Sequence, residues 1–169
     1  MIWAKPIMMI INQRCVCACG ASGTHVDGAL IARFLCHCTI CQSLYQQPWA
    51  DVVVLRAGAI TISEPHRLAF RRYRSLPALN RGVCTACGSP VVAVTPGPSV
   101  FGLAFVPSRT FENPDELPPA AQHIFYDRRI ADVSDPLPKV SGYWRSEFAV
   151  GGMVGRGLLA ARKSSIQGL

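Results

Sequence analysis

Eight cysteines dominate the chemistry available to this chain: Cys15, Cys17, Cys19, Cys36, Cys38, Cys41, Cys84 and Cys87. Seven fall into three tight groups, Cys17-Ala18-Cys19-Gly20, Cys36-His37-Cys38-Thr39-Ile40-Cys41 and Cys84-Thr85-Ala86-Cys87-Gly88. An even number admits a disulfide framework. The spacing opposes one, because it crowds neighbouring thiols where structural bridges join distant segments. No export signal is visible, and 169 residues can build a core without staples. The expected chemistry is metal coordination.

Zinc–sulfur bonds of about 2.3 Å place tetrahedral ligands roughly 3.8 Å apart. Residues i and i+2 of a flat strand lie nearly twice as far apart. A Cys-x-Cys pair must therefore bend into a tight turn to share an ion. Gly20 and Gly88, each just after a cysteine pair, can supply that turn by taking positive φ. Cys17, Cys19, Cys84 and Cys87 are thus expected to form a closed four-thiolate site of the structural kind, joining segments more than sixty residues apart. The middle group differs, since Gln42 follows Cys41 in place of glycine. Cys36, Cys38 and Cys41 can occupy one side of an ion and leave a fourth position for water or substrate, as catalytic zinc sites do. The alternative is closure by His37 or a distant side chain. His37 lies between two ligands, so its ring is expected to point away from the ion, behind the ligands or toward solvent. Cys15 is the spare thiol, expected to be buried.

The elements that must hold these groups read as short strands. Apolar or alternating runs occur at 30–35, 49–55, 60–63, 68–73, 91–95 and 101–106, separated by Gly58, Pro65, Pro77, Pro96-Gly97-Pro98 and Pro107. With 14 Gly and 13 Pro, the chain suits a turn-rich β fold better than a helical bundle. Short helices are expected at 42–47 and 115–122, the second limited by Pro118-Pro119. From about 151 onward the sequence is Gly-rich and basic, which predicts a loose tail or a helix over 158–163 that docks on a partner.

Hydrophobic residues make up 50% and charged residues 16%, which excludes wholesale disorder. No apolar run approaches the roughly 20 residues of a membrane span, so no membrane is expected and the cytoplasm is the default compartment. The formal charge of +7 alone suggests an anionic partner. Two zinc sites with four and three thiolates would lower it to about +4, an ordinary value. Arg67, Arg71, Arg72, Arg74 and Arg81 form a basic segment with Phe70 and Tyr73 nearby. It reads either as a solvated strand face or as a docking patch for an anionic ligand, nucleic acid included.

Cys-x-Cys-Gly, then Cys-His-Cys-x-x-Cys, then Cys-x-x-Cys-Gly-Ser-Pro resembles the glutathione-dependent formaldehyde-activating enzyme family, also called the Gfa-like or CENP-V/Gfa domain. The likeness runs from about Arg14 to Trp144 and includes Arg72-Tyr73-Arg74-Ser75, Arg81-Gly82-Val83, His123-Ile124-Phe125 and Leu137-Pro138-Lys139. The resemblance implies a mainly β fold, a β-tent of small antiparallel sheets pinned by zinc, with one or two short helices. It divides the chain into an N-terminal extension (1–13), the zinc-binding domain (14–145) and a C-terminal tail (146–169). It implies two zinc ions, a structural one on Cys17, Cys19, Cys84 and Cys87 and a catalytic one on Cys36, Cys38 and Cys41. The implied activity is that of a carbon–sulfur lyase, forming or cleaving a thiol–aldehyde adduct such as S-hydroxymethylglutathione. The implied partners are a small thiol such as glutathione and a small aldehyde. Gln42-Ser43-Leu44-Tyr45-Gln46-Gln47-Pro48-Trp49 departs from the family pattern, so Tyr45 or Gln47 is expected to alter the pocket. His66 and His123 are the candidate acids or bases. A non-catalytic zinc-stabilised binding module for nucleic acid or protein is the alternative, and the oligomeric state, a homo-oligomer included, is open.

Overall fold

Alternation begins at the first described strand. In β1 (Ile10–Val16), Ile11, Gln13 and Cys15 turn inward while Ile10, Asn12, Arg14 and Val16 turn outward, the period of a half-buried strand. The computed structural model describes residues 9–75, 79–98 and 102–167. β1 pairs antiparallel with β2 (Gly23–Ala29), in register from Ile10↔Ala29 to Val16↔Gly23. Glycine is required at 23, because a Cβ there would meet the Cys15 carbonyl oxygen at 2.1 Å. β2 pairs with β5 (Ile60–Ser63), completing a three-stranded sheet.

The larger sheet has seven strands. They are β3 (Ala32–Cys36), β4 (Ala50–Arg56), β6 (Leu68–Arg71), β7 (Asn80–Cys84), β8 (Pro90–Val94), β9 (Leu103–Pro107) and β10 (His123–Ile124), in the spatial order β10-β3-β4-β9-β8-β7-β6. Every pairing is antiparallel except that of β10 on β3. β4 shows how the layers stack. Val53 and Leu55 pack into one cluster with Ile11, Cys15 and Val26 of the small sheet. Val52 and Val54 pack on the other face with Phe34, Met153 and Val154. A strand buried on both faces reads as the continuous run Val52-Val53-Val54-Leu55 instead of alternating.

The fold is mainly β, with two sheets and two helices, as the sequence leads one to expect. The expected strand at 60–63 coincides with β5, and the other expected runs fall on strands with shifted ends. Pro77 and Phe101, used above as a turn signal and a strand start, lie outside the described residues. The helix expected at 42–47 is α1 (Thr39–Tyr45), which starts earlier because Cys38 caps it. It stops at Gln46, which takes positive φ just ahead of Pro48. The helix expected at 115–122 is replaced by one 3₁₀ turn, Pro114–Glu116. Pro118 and Pro119 lack the N–H groups that would extend it.

The largest difference is at the C-terminus. α2 (Tyr143–Gln167) is a 25-residue helix packed on its own chain. Gly151, Gly152, Gly155 and Gly157 each disfavour it by roughly 0.8–1 kcal/mol relative to alanine. Tertiary contact offsets this. Met153 and Val154 are buried, and Gly157 sits so close to the chain that a Cβ would meet the Ile31 carbonyl oxygen at 2.1 Å. Among the described residues no helix is long and apolar enough to cross a membrane.

Candidate metal centres and the cavity between the arginines

The four-thiolate group forms where the sheets meet. Cys17 follows β1 of the small sheet and Cys84 ends β7 of the large one. The Sγ atoms of Cys17, Cys19, Cys84 and Cys87 all lie within 4.8 Å of one another. Cys17 Sγ is 3.6 Å from Cys19 Sγ, and Cys19 Sγ is 3.8 Å from Cys84 Sγ. Those separations match the roughly 3.8 Å edge of a zinc–thiolate tetrahedron and are nearly twice a disulfide bond. The two knuckles are built alike. Cys17 N–H donates to Ser22 O and Cys84 N–H to Ser89 O, each at 2.9 Å. Gly20 and Gly88 turn the chain at φ 76° and 70°. Burial opposes charging Cys17, but the Ser22 and Cys19 groups directed at its sulfur outweigh it and lower the thiol to about 6. The Ser22 N–H donates to that sulfur at 3.4 Å.

Cys36, Cys38 and Cys41 bring their sulfurs together on the opposite face of the large sheet, all buried and within 4.8 Å of one another. Cys36 ends β3, Cys38 caps α1 and accepts the Cys41 N–H at 3.4 Å, and Cys41 sits in the first turn of the helix. Cys36 and Cys41 direct their thiols at Cys38 and hold it far below the usual thiol range. Cys36 is in turn pushed up by Cys38 and Cys41. Cys36 also lowers Cys41, but Cys38 and burial outweigh it and raise that thiol to about 12. One thiol of the trio therefore ionises readily, and charging the other two requires a cation. A thiophilic metal ion is the group that this donor set fits. Among the described residues no fourth Cys, His, Asp or Glu joins the trio.

His37 is fully buried and turned away from the sulfurs, so the solvent-facing option is overturned. Its Nε2 lies 2.8 Å from His123 Nδ1, and His123 Nε2 lies 2.8 Å from Asp135 Oδ2. Lys139, then His123, hold the Asp135 carboxyl down to about 2, so it is an anion that accepts from His123. The tautomers follow: His123 carries its proton on Nε2 and receives one from His37 Nε2. The same loop is pinned by its backbone. His37 N–H donates to Ile124 O at 3.0 Å, and Gln42 Nε2 donates to His37 O at 2.8 Å. Burial, then His123, lowers His37 from 6.5 to about 4. The unfolded chain takes up this proton first. The group's contribution to stability is thus complete above about 6.5 and erodes as pH falls toward about 4. An NMR titration of the folded protein should show the His37 imidazole changing near pH 4; a midpoint near 6.5 would contradict this burial.

A cavity of about 250 Å³ opens over the trio. Its walls include Phe34, Val52, Val92, Phe105, Ile124 and Phe125. Arg74, Arg81, Glu147 and Tyr45 supply polar groups. Burial pushes the Tyr45 phenol up, so it stays protonated. Burial also raises the Glu147 carboxyl, with Arg74 opposing it and Cys38 adding to it. Arg74 Nη2 lies 3.4 Å from Glu147 Oε1, and its guanidinium sits over the Phe125 and Tyr143 rings.

The structure sorts the remaining sequence candidates. Cys15 is buried and outside both groups, and burial raises its thiol to about 11. His66 is exposed beside Glu64, and His123 is buried; neither lines the cavity. Gln47 is exposed and lines a separate surface hollow with Trp49 and Arg109, whereas Tyr45 reaches both. The basic segment divides. Arg67, Arg71 and Arg72 are exposed, while Arg74 and Arg81 line the cavity. Sequence reading missed Glu147 because it treated α2 as a tail. The signal was present in Tyr143, Ser146, Val150, the pair Met153-Val154, and Gly157, which recur every three to four residues.

One sulfur cluster where two sheets meet, and a second that borders a cavity, define a class: β proteins with two cysteine groups able to hold metal. The chain belongs to the glutathione-dependent formaldehyde-activating enzyme family, whose model matches residues 12–128. Among curated proteins none matches the chain. The family match stops short of α2, although α2 contributes Glu147 and Val150 to the cavity wall.

Proposed function

We propose that this protein is a zinc-dependent carbon–sulfur lyase that forms or cleaves a thiol–aldehyde adduct, the type given by glutathione and formaldehyde in the family's name. The observation that carries the reading is the three-cysteine trio at the floor of a cavity, with no fourth ligand among the described residues. Cys17, Cys19, Cys84 and Cys87 would hold a structural zinc ion, and Cys36, Cys38 and Cys41 a catalytic one. The second ion would supply Lewis acidity and hold a thiol in its anionic form near neutral pH. The proposed setting is the cytoplasm, where thiols stay reduced.

The reaction is an addition. A sulfur lone pair forms the S–C bond, the carbonyl π pair moves to oxygen, and the thiol proton ends on that oxygen. Cleavage runs the same steps backward. The chain must therefore move one proton from sulfur to oxygen. Glu147 is the only carboxyl lining the cavity among the described residues, and its burial raises it toward the range useful for this transfer. Phe34, Phe105 and Phe125 exclude water from the reacting atoms. Tyr45, held protonated, is available as a hydrogen-bond donor.

Zinc-loaded protein should accelerate adduct formation from glutathione and formaldehyde; a rate equal to that in buffer would overturn the reading. Glu147→Gln is expected to lower that rate about a hundredfold, the scale of one general acid–base group, with metal content and fold unchanged. A rate within twofold of the parent would remove Glu147 from the proton path.

A further inference from the structure

The cavity is small and, among the described residues, apolar and short of polar partners. At about 250 Å³ it falls below the range of roughly 300–1,000 Å³ typical for drug-sized ligands. Two of its polar groups are already engaged. Thr95 Oγ1 accepts the Leu103 N–H at 2.9 Å, and Arg74 is held between Glu147 and two aromatic rings. Arg81 is different. Its Nη1, like Arg74 Nε, is buried with no hydrogen-bond partner, but among the described residues no ion pair reaches Arg81, whereas Arg74 has Glu147. Arg81 lines the same cavity as Cys38 and Cys41. A buried donor left unpaired costs about 1–3 kcal/mol, so it marks a place where a ligand atom belongs.

These observations limit the occupant. A tripeptide thiol with two carboxylates, an ammonium group and two amides needs many partners. Beyond the sulfurs, the described side chains offer Arg81, the Tyr45 hydroxyl and the Arg74–Glu147 pair. Buried polar groups without partners weaken binding steeply. A ligand with an apolar body satisfies the walls, and one carboxylate satisfies Arg81.

We propose that the cavity selects a small thiol with an apolar body and a single carboxylate, the thiol directed to the Cys36–Cys38–Cys41 trio and the carboxylate received by Arg81. This rests on the reading of the trio as a thiol site, and it narrows the thiol to something smaller and less polar than glutathione. Arg81 is the specificity-determining residue, and Glu147 of α2 contributes by neutralising Arg74, which leaves one unpaired guanidinium instead of two.

The test is isothermal titration calorimetry on the zinc-loaded protein with three thiols: para-(mercaptomethyl)benzoate, its neutral counterpart phenylmethanethiol, and glutathione. The acid should bind about tenfold or more tightly than the neutral thiol, the scale of one charge-assisted hydrogen-bonded contact, and more tightly than glutathione. Arg81→Gln should bring acid and neutral thiol to within about twofold, and Arg81→Lys should retain a preference for the acid, with zinc content unchanged in both. para-Toluate, which lacks the thiol, should compete with the acid in the parent protein and not in Arg81→Gln. Equal binding of acid and neutral thiol by the parent, or tighter binding of glutathione, would overturn the inference and leave the thiol-site reading standing. Loss of zinc in Arg81→Gln with the acid preference intact would assign the guanidinium to balancing the sulfur cluster and overturn it equally. Failure of all three thiols to bind would overturn the thiol-site reading and this inference with it.

Discussion

Cys84→Ser is expected to lose one of two zinc ions and to melt about 10 °C or more below the parent, if it accumulates in folded form at all. The reason is placement. Cys84 ends β7 of the large sheet, and its sulfur meets those of Cys17 and Cys19, which follow β1 of the small sheet. The knot thus fastens the two sheets at one end of their shared core, where Cys17 and Cys84 are themselves buried. Structural zinc contributes about 10–16 kcal/mol in small peptide domains, as much as the roughly 5–15 kcal/mol by which whole domains are stable. A partial loss of that free energy exceeds the loss from any single apolar contact. Cys15→Ala is the control. Cys15 is also buried beside β2 but lies outside both sulfur groups, so its variant should keep both ions. Metal analysis with thermal melting decides the matter. An unchanged ion count and melting temperature in Cys84→Ser would contradict the structural role.

Cys38→Ser separates chemistry from folding. Serine is among the best N-cap residues, so its hydroxyl can take over the Cys41 N–H that the Cys38 sulfur now accepts at 3.4 Å. The loop is also held by the His37–Ile124 backbone bond and by Gln42, neither of which uses the sulfur. The fold should therefore survive. The charge does not, because a hydroxyl remains neutral near pH 7 where a thiolate of the trio would carry charge to a bound cation. The expected result is one zinc ion in place of two, a melting temperature within a few degrees of the parent, and a lyase rate lower by about a thousandfold or more, the scale of losing a bound metal's Lewis acidity. A lyase rate equal to the parent's would show that the trio has no part in the chemistry.

How much of this was legible in the sequence depended on whether the signal was local. The seven clustered cysteines were legible because metal chemistry imposes short-range spacing, and Gly20 and Gly88 mark the two knuckles by their positive φ. The strands with continuous apolar runs, such as β4, were legible for the same reason. β2 and β7 were not, since Gly23, Gly28 and Gly82 interrupt them and their pairing comes from neighbours distant in sequence. α2 was hidden by four glycines that are tolerated because the helix packs against its own domain. The division of the five arginines was also out of reach. Arg71 and Arg81 are opposite one another across β6 and β7, yet Arg71 faces solvent and Arg81 lines the cavity. Only tertiary packing sets that difference. The loss mattered for function, because Arg74, Arg81 and Glu147 are the cavity's charged groups and spacing could not place them there.

Zinc-edge X-ray absorption on the purified protein, read together with its metal content, reports directly whether the trio holds an ion with an open position. The expected result is two ions per chain, one with four sulfur neighbours and one with three sulfurs and a single lighter atom that is exchanged for sulfur when a thiol is added. Four protein ligands on both ions, or a folded protein without metal whose cysteines are oxidised in pairs, would contradict it.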